Sequence, residues 1–367
     1  MTLRTRGSTA APDTERDGPE EESGSSDVRR APLALVLFIG VAALLVLMVV
    51  SVSIGPLRIP LPDVGEILIA RLLGGVEELN RRDVSVVWQL RVPRILLGAV
   101  VGAALALSGA ALQSLFNNPL ADPGIVGVTG GASAGAVAAI VLAGGFAGEW
   151  AVPLGAFLAG LAVTALIYLL ARPGRATGTA RMLLVGIAVG SACQAVVGFF
   201  TYIADDTQLQ TLVFWQMGSL GRVTWPQLLA VLPVFALGLI AVARLSRTLD
   251  VLTLGERQAQ HLGLNVKRSR LAVILATSLM TAAAVAFAGS IGFIGLVVPH
   301  IVRYLVGPGH RALLPASAIT GAALILAADA AARTLDPPSE IPIGLFTAAV
   351  GAPFFLLLIL RERRRTW

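Results

Sequence analysis

Beyond residue 30 the chain alternates between long apolar runs and short breaks rich in Gly, Pro and polar residues. The first run, APLALVLFIGVAALLVLMVVSVSIG over 31–55, holds no charge. At 1.5 Å of rise per residue it is long enough to cross a hydrocarbon layer of roughly 30 Å as a helix. A cleaved signal segment is shorter and starts nearer the N-terminus, so this run reads as a retained span. Further apolar stretches lie at 93–115, 123–144, 150–171, 182–203, 226–243, 270–288, 291–306, 312–332 and 342–360. The pattern predicts an all-α polytopic membrane protein of about ten transmembrane helices, in which 291–306 is short for a full crossing. An even count places both termini on one side.

Composition agrees with that pattern. The chain of 367 residues is 56% hydrophobic and only 14% charged, far from the roughly 25% charged usual in soluble domains. Residues 1–30 carry five Arg and seven Asp or Glu, 12 of the 50 charged groups, without periodicity. They read as a disordered cytoplasmic tail ahead of a transmembrane domain over 31–367. With the N-terminus inside, seventeen basic residues flank the spans on that side and eight on the other, which favours both termini being cytoplasmic. The basic residues are scattered between apolar segments rather than clustered, so the formal charge of +6 implies no nucleic-acid partner. Arg91, Arg94 and Arg333 fall on the outer side, where orientation gives no reason for them. They either snorkel to headgroups or dock an acidic external partner.

An internal echo at an offset of 180 pairs Ala103, Ala104, Ala106, Gly109 and Pro119 with Ala283, Ala284, Ala286, Gly289 and Pro299. Five spans separate the two segments, so the halves would form an inverted internal repeat. Glycines four apart at Gly98/Gly102, Gly131/Gly135 and Gly186/Gly190 fit close helix packing.

Two breaks between spans carry specific chemistry. In the longest late polar insertion, 244–270, Thr253-Leu254-Gly255-Glu256 matches a capping box opening a short helix to Leu262, ended by Gly263. Such a helix is either interfacial or fits a groove in a partner. In FNNPLADPG over 116–124, carboxamides, Pro and Gly break one span and begin the next, with Asp122 placed to cap. That segment serves as an aqueous gate or as a plain turn. Within the spans His300 and Asp329 stand out, and Asp329 sits four residues before Arg333, at pairing distance on a helix. No chain of intramembrane carboxylates suited to proton relay is visible.

Catalytic chemistry is poorly supported. Cys193 is the only cysteine and His261, His300 and His310 are far apart, so no metal site is expected. The single lysine, Lys267, stands in no phosphate-cradling loop. Any ATP would be bound by another subunit.

Four segments together carry a family resemblance: RVPRILLGAVVGAALALSGAALQSLFNNPLADPGIVGVTGGASAGA (91–136), LGERQAQHLGL (254–264), AGSIGFIGLVVPHIVR (288–303) and IPIGLFTAAVGAPFF (341–355). They resemble the FecCD family, the permease subunits of type II ABC importers for ferric siderophores, haem and cobalamin. The resemblance covers nearly the whole chain after residue 30. It implies a permease domain in the cytoplasmic membrane, paired with a second permease subunit, a cytoplasmic ABC ATPase and an extracytoplasmic substrate-binding protein, with no cofactor in this chain. It implies that the loop at about 250–268 holds the ATPase-coupling helix, with Gly255, Glu256, Leu262 and Gly263 at the contact. By the same resemblance Arg91, Arg94 and Arg333 dock the binding protein, and Asn118, Leu120, Thr179 and Ala180 belong to the cytoplasmic gate. Ala180 stands where the family often has a hydroxyl. Ferric siderophore is the expected cargo, with cobalamin or haem as the alternative. An ion-coupled secondary carrier is the competing reading from another class.

Overall fold

A computed structural model describes residues 32–75, 79–143, 148–171, 178–337 and 339–363. The acidic tail over 1–30 lies outside the described residues. The elements are α1 (Leu33–Ser53), α2 (Leu61–Leu73), α3 (Arg81–Val84), α4 (Val92–Leu115), α5 (Val128–Ala143), α6 (Ala151–Ala171), α7 (Gly178–Ile203) and α8 (Asp206–Met217). They continue with α9 (Trp225–Arg244), α10 (Ser246–Leu252), α11 (Glu256–His261), α12 (Val266–Ala288), α13 (Ile294–Val306), α14 (His310–Thr334) and α15 (Ile343–Arg363).

The described residues form an all-helical bundle. Seven helices are long and apolar enough to cross a membrane, and three shorter apolar helices, Val128–Ala143, Ile294–Val306 and Ile343–Leu357, bring the total to the ten expected. α13 has 13 residues, roughly 20 Å of helix. The short run at 291–306 is therefore a half-length element, entered through Phe293 in the left-handed region at φ 69°.

α4 is the central post. Almost all of it is buried, and it packs against α9, α12, α13 and α14. The two echo segments, α4 and α12, are thus direct neighbours in the core. Backbones approach closely where glycines remove the side chain: a Cβ on Gly102 would lie 2.2 Å from the Gly321 carbonyl oxygen, and one on Gly109 1.8 Å from that of Gly295. Without a strong hydrophobic force between helices in lipid, such contact supplies the packing energy. Gly131 and Gly135 play the same part against α6, and Gly186 meets the Ile125 carbonyl. Gly190 is the exception, with open space where its side chain would be.

A π-helical turn over Ser85–Arg91 joins α3 to α4. Pro93 has no N–H to donate back, and the freed carbonyl of Trp88 accepts instead from the Trp225 indole N–H at 2.7 Å. The two indoles also stack with centroids 5.0 Å apart, which fixes the start of α9 beside the start of α4.

α4 starts, and α14 ends, at what we term the arginine end. α4 ends, and α14 starts, at the opposite loop end, which carries α10 and α11. α1 begins and α15 finishes at the loop end, so the described termini share one side, as an even number of spans requires.

Candidate functional site

At the loop end, α10 and α11 form a surface outside the bundle. Leu249, Leu252 and Ala259 are buried and anchor it. Leu254 at 57% and Leu262 at 65% exposure point away. The helix start differs from the capping box expected. Thr253 closes α10 instead, its hydroxyl donating to the Asp250 carbonyl at 2.6 Å. Gly255 is the N-cap of α11 at φ 100°, a conformation that glycine adopts without a steric cost. Glu256 forms an ion pair with buried Arg270, clamping α11 to α12. The C-terminus behaves as expected: Gly263 takes φ 81°, and the Leu264 N–H reaches back to the Ala259 carbonyl at 3.0 Å, the six-to-one bond of a Schellman motif. Two glycines thus bracket a short, largely exposed helix, with the exposed Leu254 just before it and Leu262 at its end.

The 116–126 segment follows at the same end. Asn117 is held at φ 46°, Asn118 Oδ1 accepts from the Leu120 N–H at 2.9 Å, and Leu120 is 38% exposed. Asp122 caps the next turn through the Gly124 N–H at 2.8 Å. This segment, Arg270 and α11 border a cavity of about 380 Å3, lined in part by Phe116, Asn117, Glu256 and Gln258. Thr179 and Ala180 fall in the first turn of α7, with side chains outside the described residues. Further along α7, Gly186 packs against the Ile125 carbonyl of the turn that follows Asp122.

At the arginine end, the three arginines expected on the outer side to snorkel or to dock a partner turn inward. Arg91, Arg94 and Arg333 are buried, at 5%, 7% and 3% exposure. Asp329, wholly buried, lies between two of them, 2.8 Å from an Arg94 Nη and 3.0 Å from Arg333 Nε. The expected Asp329–Arg333 pair is thus present with Arg94 added, and Arg94 also contacts Glu340 at 2.7 Å. The remaining donors close the end of α1, which has no basic residue in its own last turn. Arg333 donates to the carbonyls of Ser51 and Ile54 at 3.2 and 3.0 Å, and Arg91 to those of Val52, Ser53 and Leu57. The last carbonyls of a helix lack partners and carry its negative pole, so two guanidiniums there satisfy both needs. Arg58, Arg71, Arg81, Arg82 and Arg222 are the arginines exposed around this cluster.

Also at the arginine end, a cavity of about 480 Å3 is lined by Glu149, Trp215, Arg222, Gln227 and Phe287 among others. Sequence reasoning also missed two sets of buried or partly buried contacts at the loop end. Gln113 accepts from Arg303 at 2.5 Å while donating to the Gly295 carbonyl at 3.1 Å. Its neighbour Ser114 meets His310, which meets Asp250. These residues lie 60 to 196 positions apart, beyond any local spacing signal. Among the described residues no three His, Cys, Asp or Glu gather as metal ligands.

Comparison with known proteins agrees with this architecture. The FecCD transport family matches residues 43–361. The hemin transport system permease protein HmuU of Yersinia pestis is 46% identical over 293 residues, 76% of this chain and 84% of the relative. The vitamin B12 import system permease protein BtuC of Klebsiella pneumoniae is 44% identical over 292 residues, 79% and 86% of the two chains. A solved chain described as a metal-chelate type ABC transporter in an inward-facing conformation superposes with a TM-score of 0.78 at 34% identity, covering 89% of this chain and 99% of the other. PsaBC from Streptococcus pneumoniae, at TM-score 0.53 and 16% identity over 79% of this chain and 94% of that chain, shares the fold alone.

Proposed function

The chain belongs to the FecCD transport family, and from that premise we propose that it is the membrane-spanning permease subunit of an ABC importer for a bulky metal chelate. The observation that carries the reading is the short helix α11 with the leucines on either side of it, Leu254 and Leu262, which are exposed at the end of a bundle that needs neither for its own packing. A short surface helix flanked by exposed leucines outside a folded core suits a groove in a partner. The partner would be a cytoplasmic ABC ATPase, which would supply the nucleotide chemistry that this chain has no phosphate loop to perform. The loop end is then cytoplasmic, and both termini with it.

The arginine end would face an extracytoplasmic binding protein. Acidic side chains arriving there meet the exposed Arg58, Arg71, Arg81, Arg82 and Arg222 first, over the base that Arg91, Arg94 and Arg333 provide. A second permease subunit would complete the pathway, gated at the loop end by Asn118 and Leu120 with Thr179 and Ala180. ATP-driven closure of the ATPases would move α11, and the two permeases would rock between outward and inward access.

Ferric siderophore is the cargo that we propose. Haem is the second reading, favoured by the 46% identity to a hemin permease. A deletion strain and its complemented twin, given labelled ferric siderophore, haemin and cobalamin in turn, separate these. Loss and rescue of the siderophore signal supports the first reading, whereas loss and rescue of haemin or cobalamin alone keeps the machine and changes the cargo.

A further inference from the structure

The Ser114–His310–Asp250 chain has the outline of a nucleophile, base and orienter, yet it cannot be a hydrolytic site. Ser114 is 3% and His310 1% exposed, so no acyl donor reaches the hydroxyl. Its interest lies in what it connects. Asp250 stands on α10, directly ahead of α11. Its Oδ1 accepts twice from His310, from the backbone N–H at 2.9 Å and from Nδ1 at 2.6 Å. A carboxylate thus caps the N-terminus of α14 from a different helix, where free N–H groups and the positive pole welcome it. Across the ring, Nε2 lies 2.6 Å from Ser114 Oγ on the last turn of α4.

The bonding closes in either charge state of the imidazole. An ionised carboxylate only accepts, so Nδ1 carries hydrogen. With the ring neutral, Nε2 accepts from the Ser114 hydroxyl. With it charged, Nε2–H donates to Ser114 Oγ, whose own hydrogen turns to the Ala110 carbonyl at 3.2 Å.

α4 and α14 are joined again in mid-helix by the Gly102–Gly321 contact and at the far end by Arg94–Asp329. Fastened at three levels, the pair forms a strut of roughly 36 Å from the loop end to the arginine end. We propose that Asp250, His310 and Ser114 are positioning residues that join the α10–α11 surface to this strut, so that displacement of α11 is delivered to α4 and α14. The inference rests on the importer reading above.

The test uses the complete importer, permease with its ATPase and binding protein, in vesicles, and reads cargo taken up per ATP hydrolysed with labelled ferric siderophore, haemin and cobalamin as probes. D250A and H310A should lower that ratio roughly fivefold or more, within the span typical of coupled sites, with ATP hydrolysis retained. S114A, which keeps the Asp250–His310 contact, should lower it less, and D250N, which keeps an acceptor for the backbone N–H, should recover part of the loss. D250A and S114A together should cost no more than D250A alone, because one chain carries both effects. A purely structural role would lower uptake and hydrolysis together and leave their ratio unchanged, which overturns the proposal. An unchanged ratio in S114A overturns it equally, even where D250A fails to insert. A wild-type complex that hydrolyses ATP and takes up none of the probes would instead overturn the importer reading and the joint with it.

Discussion

Asp329 offers the sharpest test of the buried charge cluster. It is wholly buried and touches both Arg94 and Arg333, so its loss strands positive charge inside the bundle. Removing one partner of a buried pair costs about 3–5 kcal/mol, a large part of the ~5–15 kcal/mol that stabilises a typical fold. Two features moderate the loss: Arg94 keeps Glu340, and Arg333 keeps the Ser51 and Ile54 carbonyls. We therefore expect Asp329→Ala near the lower bound, about 3 kcal/mol. Asp329→Asn retains one acceptor for Arg94 Nε and gives up the charge, so about 1.5–3 kcal/mol is expected, the worth of hydrogen bonds to charged groups. Unfolding in mixed micelles, followed by tryptophan fluorescence, reads this directly, since Trp88 and Trp225 stack at the same end of the bundle. A double-mutant cycle of Asp329→Ala with Arg333→Met should show a coupling energy within the 0.5–3 kcal/mol usual for contacting residues. An Asp329→Asn protein within about 0.5 kcal/mol of wild type, the range of an ordinary surface change, would refute the reasoning.

Further expectations follow from the same geometry. Gly102→Leu should abolish accumulation in the membrane, because its side chain would enter the Gly321 backbone, whereas Gly190→Ala, with open space around it, should accumulate normally; immunoblots of membrane fractions compare the two. Leu254→Asp with Leu262→Asp should remove co-purification of the ATPase while leaving the unfolding midpoint of the permease unchanged, since both side chains are exposed. Arg58→Glu with Arg222→Glu should weaken capture of the binding protein at low salt and lose its effect near 1 M, where the Debye length falls to roughly 3 Å. Arg91→Ala should instead lower stability, through the uncapped carbonyls of α1, and its effect should persist in salt.

The legible part of this protein was whatever depends on local pattern. Spans emerge from run length, and the shortness of 291–306 was visible because 13 to 16 residues cannot cross a bilayer core. The glycine that ends α11 and the pairing of Asp329 with Arg333 are both set within four residues of sequence. The start of α11 differs because Thr253 and Glu256 carry the right side chains for a box, while other partners engage both: Thr253 bonds back to the Asp250 carbonyl and closes α10, and Glu256 pairs with Arg270 on α12. The arginines at the arginine end were visible as charges with no topological reason. Their burial was not, because it depends on carbonyls at and just beyond the end of α1, 34 to 39 residues from Arg91 and 279 to 282 from Arg333. Hydropathy records what a residue is and is blind to an acceptor folded back from elsewhere. The Asp250–His310–Ser114 contacts escaped for the same reason.

The most direct test of the central claim is reconstitution of the permease with its ATPase and binding protein in sealed vesicles, measuring labelled chelate uptake with ATP supplied on the ATPase side and all ion gradients collapsed. An ATP-driven permease accumulates cargo under these conditions and stops when the ATPase is omitted. Uptake that needs an imposed ion gradient and continues without the ATPase would contradict the account and make the chain a self-sufficient carrier.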